Sequence, residues 1–204
     1  MSYSFIALCR MKLTEQQASS NISHEQEKFS RVPYTLFPLA KSITKEASSQ
    51  TYFTIRYLAD RPLAASAYRA YAYFRWVDDL VDQMQTSQAE RLDFLMRQQE
   101  IIARCYEGDW PLDLCPEERM VADLIHGSQV GNKGLRSYIE QMMAVMVFDA
   151  ERRGRLISQK ELDAYTLALA TAVTESLNTF IGHCDWSPHD ETRYLAVTGA
   201  HITH

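Results

Sequence analysis

The sequence predicts an all-α protein, a helical bundle, on three observations. Glycine and proline are scarce, 7 and 6 of 204 residues, while strong helix formers such as Ala, Leu, Met, Gln, Glu and Arg are plentiful. No segment alternates apolar and polar residues with β-branched enrichment, so no sheet is expected. Helix start and stop signals also punctuate the chain. Ser87-Gln88-Ala89-Glu90 and Ser158-Gln159-Lys160-Glu161 are S-x-x-E capping boxes, and Gly108, Gly154 and Gly182 stand where helices should stop.

Taken in order, residues 1–40 are a polar mixture containing Pro33 and Pro38, expected as a poorly ordered arm with at most a short helix near residues 12–19. The domain proper should span 41–204. Its first helix is expected from Ile43 to Ala59. Pro62 should open the next helix, in a first turn where its missing N–H costs nothing, and that helix should reach Met84. The first capping box starts a helix to Glu107. Pro116 starts one ending at His126-Gly127, and a longer one follows from Leu135 to Arg153. The second capping box starts a helix to Ile181. Ser187-Pro188 then opens a last helix, which meets no stop signal before His204 and reads as the end of a fragment. The expectation is six to eight helices in one domain.

The bulk numbers exclude several classes. A net charge of −5 gives no reason to expect nucleic-acid binding. Cys9, Cys105, Cys115 and Cys184 form no C-x-x-C pair, which argues against a zinc ribbon or redox motif and for free thiols in a reducing compartment. "SYSFIALC" is too short for a signal h-region with a cleavage site, and no run approaches the roughly 18–20 apolar residues of a membrane span. A cytoplasmic location fits, with peripheral contact at a membrane surface compatible.

The stretch "YAYFRWVDDLVDQ" carries the chemistry. Asp78, Asp79 and Asp82 fall within one turn near a helix C-terminus. Like charges three or four residues apart repel by a few tenths of a kcal/mol per pair, and the macrodipole there is already negative. Arg75 reaches Asp78 or Asp79, yet one cation does not neutralise three carboxylates. Mg²⁺ would: it takes one or two carboxylates, keeps waters and fills its shell with substrate phosphate oxygens. A solvated acidic helix end fits the spacing equally well. Against it, Tyr68, Tyr71, Tyr73, Phe74, Trp76 and Val77 cover most sides of the helix, so its charges should open into a cavity or face a partner.

Together, "SSQTYFTIRYL" and "AYRAYAYFRWVDDLVD" resemble the N-terminal signature of the squalene/phytoene synthase family, head-to-head prenyltransferases with an all-α isoprenoid-synthase fold. The D-D-x-x-D core alone is shared with other terpenoid enzymes; the flanking A-Y-x-x-R-x-V-D-D is more specific. The resemblance implies Mg²⁺ at Asp78 and Asp82, with Asp79 beside them, and diphosphate contacts from Arg75, Ser49 and Thr51. An ordinary helix N-terminal turn explains Ser49 and Thr51 on sequence grounds alone. A second block, "ELDAYTLALATAVTESL", resembles the family pattern Y-C-Y-x-V-A-x-x-V-G. It implies that Tyr165 sits beside the reacting isoprenoid; a core tyrosine is the plain alternative. Thr174 stands where glycine is usual, which would narrow the prenyl channel or alter the helix.

The family carries a second aspartate-rich motif preceded by a Gln-x-x-Asn pair. Here His201 and His204 stand in that run-up, and the chain stops before the aspartates would come. The resemblance thus covers the N-terminal two thirds of a family member. It implies condensation of two farnesyl or geranylgeranyl diphosphates, with NADPH entering only if squalene is the product. With one metal wall missing, the chain alone is expected to be inactive. The alternative is a non-catalytic homologue acting as a binding or assembly module. A bundle cut short would expose an apolar face and could self-associate through it.

Three other features weigh less. "GHCDWSPHD" clusters His183, Cys184, Asp185, His189 and Asp190, but at no standard metal spacing, and it reads as an inter-helix connection with Ser187 as N-cap. Ile139, Met142, Met143, Met146 and Phe148 form a stripe that is core or, by the resemblance, channel lining. "ERRGR" at 151–155 reads as a solvated helix end, with a phosphate contact the weaker reading.

Overall fold

The computed structural model describes residues 33–83, 87–128, 132–181 and 190–203. The chain divides into two compact units, Met1–Thr35 and Leu36–His204. Only residues 33–35 of the first are described, so the short helix expected near 12–19 lies outside the described residues. These contain eight α-helices and no strand: α1 Pro33–Ala47, α2 Ser49–Leu58, α3 Ala64–Gln83, α4 Gln88–Glu107, α5 Pro116–His126, α6 Lys133–Arg152, α7 Gln159–Ile181 and α8 Asp190–Thr203. None of them is long and apolar enough to cross a membrane.

Most boundaries follow the local signals. Ser87 accepts the Glu90 N–H while the Glu90 carboxylate accepts the Ser87 N–H, a closed capping box. Ser158 and Glu161 repeat it at the start of α7. Gly108 ends α4 with φ 81°, a left-handed conformation that a side chain would strain. Cys115 is an unforeseen cap. It precedes Pro116, its N–H donates to the Glu118 carboxylate at 3.1 Å, and its Sγ lies 3.5 Å from the Glu118 amide. Cys105 and Cys115 are free thiols, and burial pushes the Cys105 thiol up to about 12.

Three expectations need correcting. Helix begins at Pro33, inside the segment read as a disordered arm; a proline is at home in a first turn. The run from Ile43 to Ala59 is not one helix. Ser48 leaves helical geometry (φ −154°, ψ 103°) and its Oγ accepts the Thr51 N–H, ending α1 and capping α2. A serine hydroxyl offers the backbone this alternative, which the apolar periodicity does not reveal. Pro62 lies in a turn before α3 rather than in its first turn: the Asp60 carbonyl accepts the N–H groups of Leu63 and Ala64.

α3 packs against α2, α5, α6 and α7. Ala67, Ala70 and Ala72 let neighbours approach, and Tyr68, Tyr73, Phe74 and Val77 are buried. Edge-to-face contacts join Phe74 to Tyr138 of α6 at 5.4 Å and Tyr138 to Phe180 of α7 at 6.4 Å. The deepest polar link lies on the other side. Tyr73 donates to Gln98 Oε1 at 3.2 Å, and Gln98 donates to Glu118 at 3.0 Å. Glu118, only 4 % exposed, also accepts from Arg97 at 3.1 Å. α3, α4 and α5 are thereby locked in register.

Burial alone would raise the Glu118 carboxyl, but the Arg97, Gln98 and Cys115 donors outweigh it and hold the group below its ordinary 4.5. Its ionised form therefore contributes stability above that value, lost as pH falls through the lower folded-state value. Glu118→Gln should cost about 1–3 kcal/mol at neutral pH. In urea unfolding the variant and the wild type should converge as pH falls below the ordinary carboxylate range.

Candidate active site

The last turns of α3 gather charge. Arg75 lies between Phe74 and Trp76, and α3 carries no basic residue in its final turn. The guanidinium binds two carboxylates at once: Nη1 is 3.2 Å from Asp78 Oδ2, and Nη2 donates to Asp79 Oδ1. Asp79, first in effect, holds the Arg75 proton more firmly than usual. Asp82, one turn beyond Asp78, is exposed. Burial raises the Asp78 carboxyl above its ordinary value; Arg75 opposes this, and the charges of Asp82, Asp79 and Asp149 reinforce it.

Asp149 belongs to α6, whose C-terminal end lies against the end of α3. Arg153 Nη1 donates to the Val81 carbonyl at 3.3 Å, covering a carbonyl that α3 leaves open. Gln88, the first residue of α4, donates to the Glu151 carbonyl at 2.9 Å and contacts that of Ala150 at 3.4 Å. The basic run at 151–155 is thus more than a solvated helix end. Arg155 pairs with Glu161 at 2.8 Å, and with the Ser158 donors it draws the Glu161 carboxyl down to about 2. This closed turn folds α7 back along α6 and brings Tyr165 to Asp149, the hydroxyl donating to Oδ2 at 3.3 Å. Burial, then Asp149, raises the Tyr165 phenol, so it is a neutral donor at physiological pH.

Of the residues singled out by sequence, Arg75, Asp78 and Asp79 are in direct contact. Tyr165 and Asp78 lie within electrostatic reach of each other. Ser49 is exposed, Thr51 donates to Ser48 at 2.9 Å, and no hydrogen bond or ion pair among the described residues links either to Arg75 or the aspartates. The neighbouring Tyr52 packs on Tyr68 of α3. Thr174 sits within an unbroken α7. His201 is drawn onto that helix, Nδ1 2.9 Å from Thr166 Oγ1. His204, and the "GHCDWSPHD" cluster up to His189, lie outside the described residues. In the methionine stripe Ile139, Met143 and Met146 are buried. Ile139 and Met143, with Ile102, Ala103 and Tyr106 of α4, line a cleft of about 350 Å³.

The donor chemistry of the acidic turn fits a hard divalent cation. Asp78 and Asp82 present carboxylates one turn apart with Asp82 open to solvent, as an Mg²⁺ shared with substrate phosphates requires. Among the described residues no group of three or more His, Cys, Asp or Glu side chains converges into a cage, so water or phosphate oxygens would supply most of the shell. Sequence reasoning missed Asp149, whose only signal is an acid interrupting an apolar stripe. Neutralising one member of the α3 cluster should stabilise the fold. Asp82→Asn is expected to add about 0.5 kcal/mol in thermal unfolding, by relieving repulsion and the clash with the dipole.

Comparison with known families finds a match to squalene/phytoene synthase over residues 44–198. Neither the curated proteins nor the solved structures gave a match. The matched span includes Arg75, the three aspartates, Asp149 and Tyr165, and its all-helical content agrees with the fold described. This chain belongs to the squalene/phytoene synthase family, a group of prenyltransferases of isoprenoid biosynthesis.

Proposed function

We propose that the chain serves the Mg²⁺-dependent head-to-head condensation of two prenyl diphosphates, farnesyl or geranylgeranyl, to a squalene- or phytoene-type product. The observation that carries this reading is the Arg75–Asp78–Asp79 turn, within electrostatic reach of a neutral tyrosine on α7. When bound at Asp78 and Asp82, Mg²⁺ would neutralise the diphosphate leaving group. Arg75 would bind a phosphate oxygen once its two aspartates are engaged elsewhere. The apolar side chains next to Arg75 on α3, Phe74 and Trp76, would help exclude water from an allylic cation. Tyr165 offers that cation a hydroxyl oxygen and no net negative charge. A reductant such as NADPH belongs to the reaction only if the product is squalene.

A second reading is a binding module without turnover. The tie between His201 and Thr166 favours it, because His201 stands where the resemblance expects a glutamine and is held to α7.

Equilibrium binding of farnesyl thiodiphosphate tests both. Mg²⁺ should tighten binding at least tenfold, about 1.4 kcal/mol. Asp78→Asn and Asp82→Asn should abolish that gain, the latter while raising thermal stability. Incubation with farnesyl diphosphate then separates the readings: turnover supports the enzyme, and binding without turnover supports the module. No Mg²⁺-dependent binding by the wild type would overturn both.

A further inference from the structure

The last turn of α6 grips Tyr165 at three points. Phe148 lies beside the ring with centroids 5.3 Å apart. The Arg152 guanidinium stands 5.6 Å from the ring centre. Asp149 divides its carboxylate, Oδ1 to Arg152 Nε at 2.6 Å and Oδ2 to the Tyr165 hydroxyl at 3.3 Å.

Stability does not explain this arrangement. Asp149 and Arg152 are 31 % and 43 % exposed, and ion pairs so open to water contribute little to stability. The carboxylate also sits at a helix C-terminus, where the dipole disfavours it, and its negative charge is felt by Asp78. A neutral residue would be less costly at this position. What the carboxylate does is direct a proton. By accepting the Tyr165 O–H it fixes that hydrogen on α6 and leaves the oxygen lone pairs free.

We propose that Asp149 is the positioning residue for Tyr165, charged and oriented by Arg152, and that it keeps the phenol oxygen's lone pairs free to face an isoprenoid cation. The proposal rests on the reading of Tyr165 as a residue beside the reacting isoprenoid. It predicts which ligands feel the change. An oxygen lone pair stabilises positive charge, so the carbocation should depend on Asp149 and the ground-state diphosphate should not.

Asp149→Asn makes the test specific. Arg152 needs an acceptor, and an asparagine side chain has one. The side-chain carbonyl goes to Arg152, the NH₂ turns to Tyr165, and the hydrogen bond reverses. Two ligands are compared in Mg²⁺: an aza-analogue of the farnesyl cation with inorganic pyrophosphate, and farnesyl thiodiphosphate. Asp149→Asn should weaken the aza-analogue about tenfold and leave the thiodiphosphate unchanged. Adding Arg152→Leu to Asp149→Asn should restore binding, because the carbonyl is then free to accept from Tyr165. A 3-fluoro label on the Tyr165 ring gives a readout independent of any ligand: its ¹⁹F resonance should move in Asp149→Asn and return towards the wild-type position in the double variant. A resonance that stays put in Asp149→Asn overturns the proposal. So does equal weakening of both ligands with a lowered Tm, the mark of a structural role. If the wild type binds neither ligand, the proposed function falls. The positioning claim is overturned with it as regards the isoprenoid, while the ¹⁹F shift still decides whether Asp149 orients Tyr165.

Discussion

The hydrogen-bond chain from Tyr73 through Gln98 to Glu118 fixes where α3 stands, and the charged turn inherits its position from that register. Tyr73 is two residues before Arg75 and five before Asp78, and its side chain is wholly withdrawn from water. A one-residue slip of α3 would leave Tyr73 and Gln98 unpaired in the core, which costs more than any surface contact could return. Glu118 supports the chain from below because Arg97, Gln98 and the Cys115 amide all converge on it. The apolar contacts of Phe74 and Val77 supply cohesion; the polar chain supplies position.

Around that anchor the charges are arranged against the fold's own interest. Three aspartates crowd the end of α3, and Asp149 joins them from the end of α6, both at negative dipole ends. Arg75 and Arg152 offset part of this, each committed to carboxylates within its own helix. Arg153 is tied to a backbone carbonyl. The result is a pair of negative helix ends whose cations are already engaged, an arrangement that favours a ligand bringing positive and negative charge together over a lone anion.

Much of this was legible in the chain. The helical class, both capping boxes, the Gly108 stop and the D-D-x-x-D turn follow from local chemistry that operates within four residues. What was missed depends on longer distances or on competition. Ser48 sits in an apolar periodic run that continues across it, so only its backbone geometry shows the break. Asp149 looks like a stray acid in a methionine stripe because its partner Tyr165 lies beyond a turn, 16 residues on. His201 shows no motif of its own and acquires a role only through Thr166 on another helix.

The contact of Gln88 with the final carbonyls of α6 has a consequence for the acidic turn. Gln88 holds the end of α6, and Gln98, on the same helix, holds α3. Ten residues of α4 separate them, a rod of about 15 Å. The two acidic helix ends are therefore tied to one strut that contributes no carboxylate to the cluster. In this architecture a bend in α4 would shift one helix end against the other without altering a single residue of the cluster.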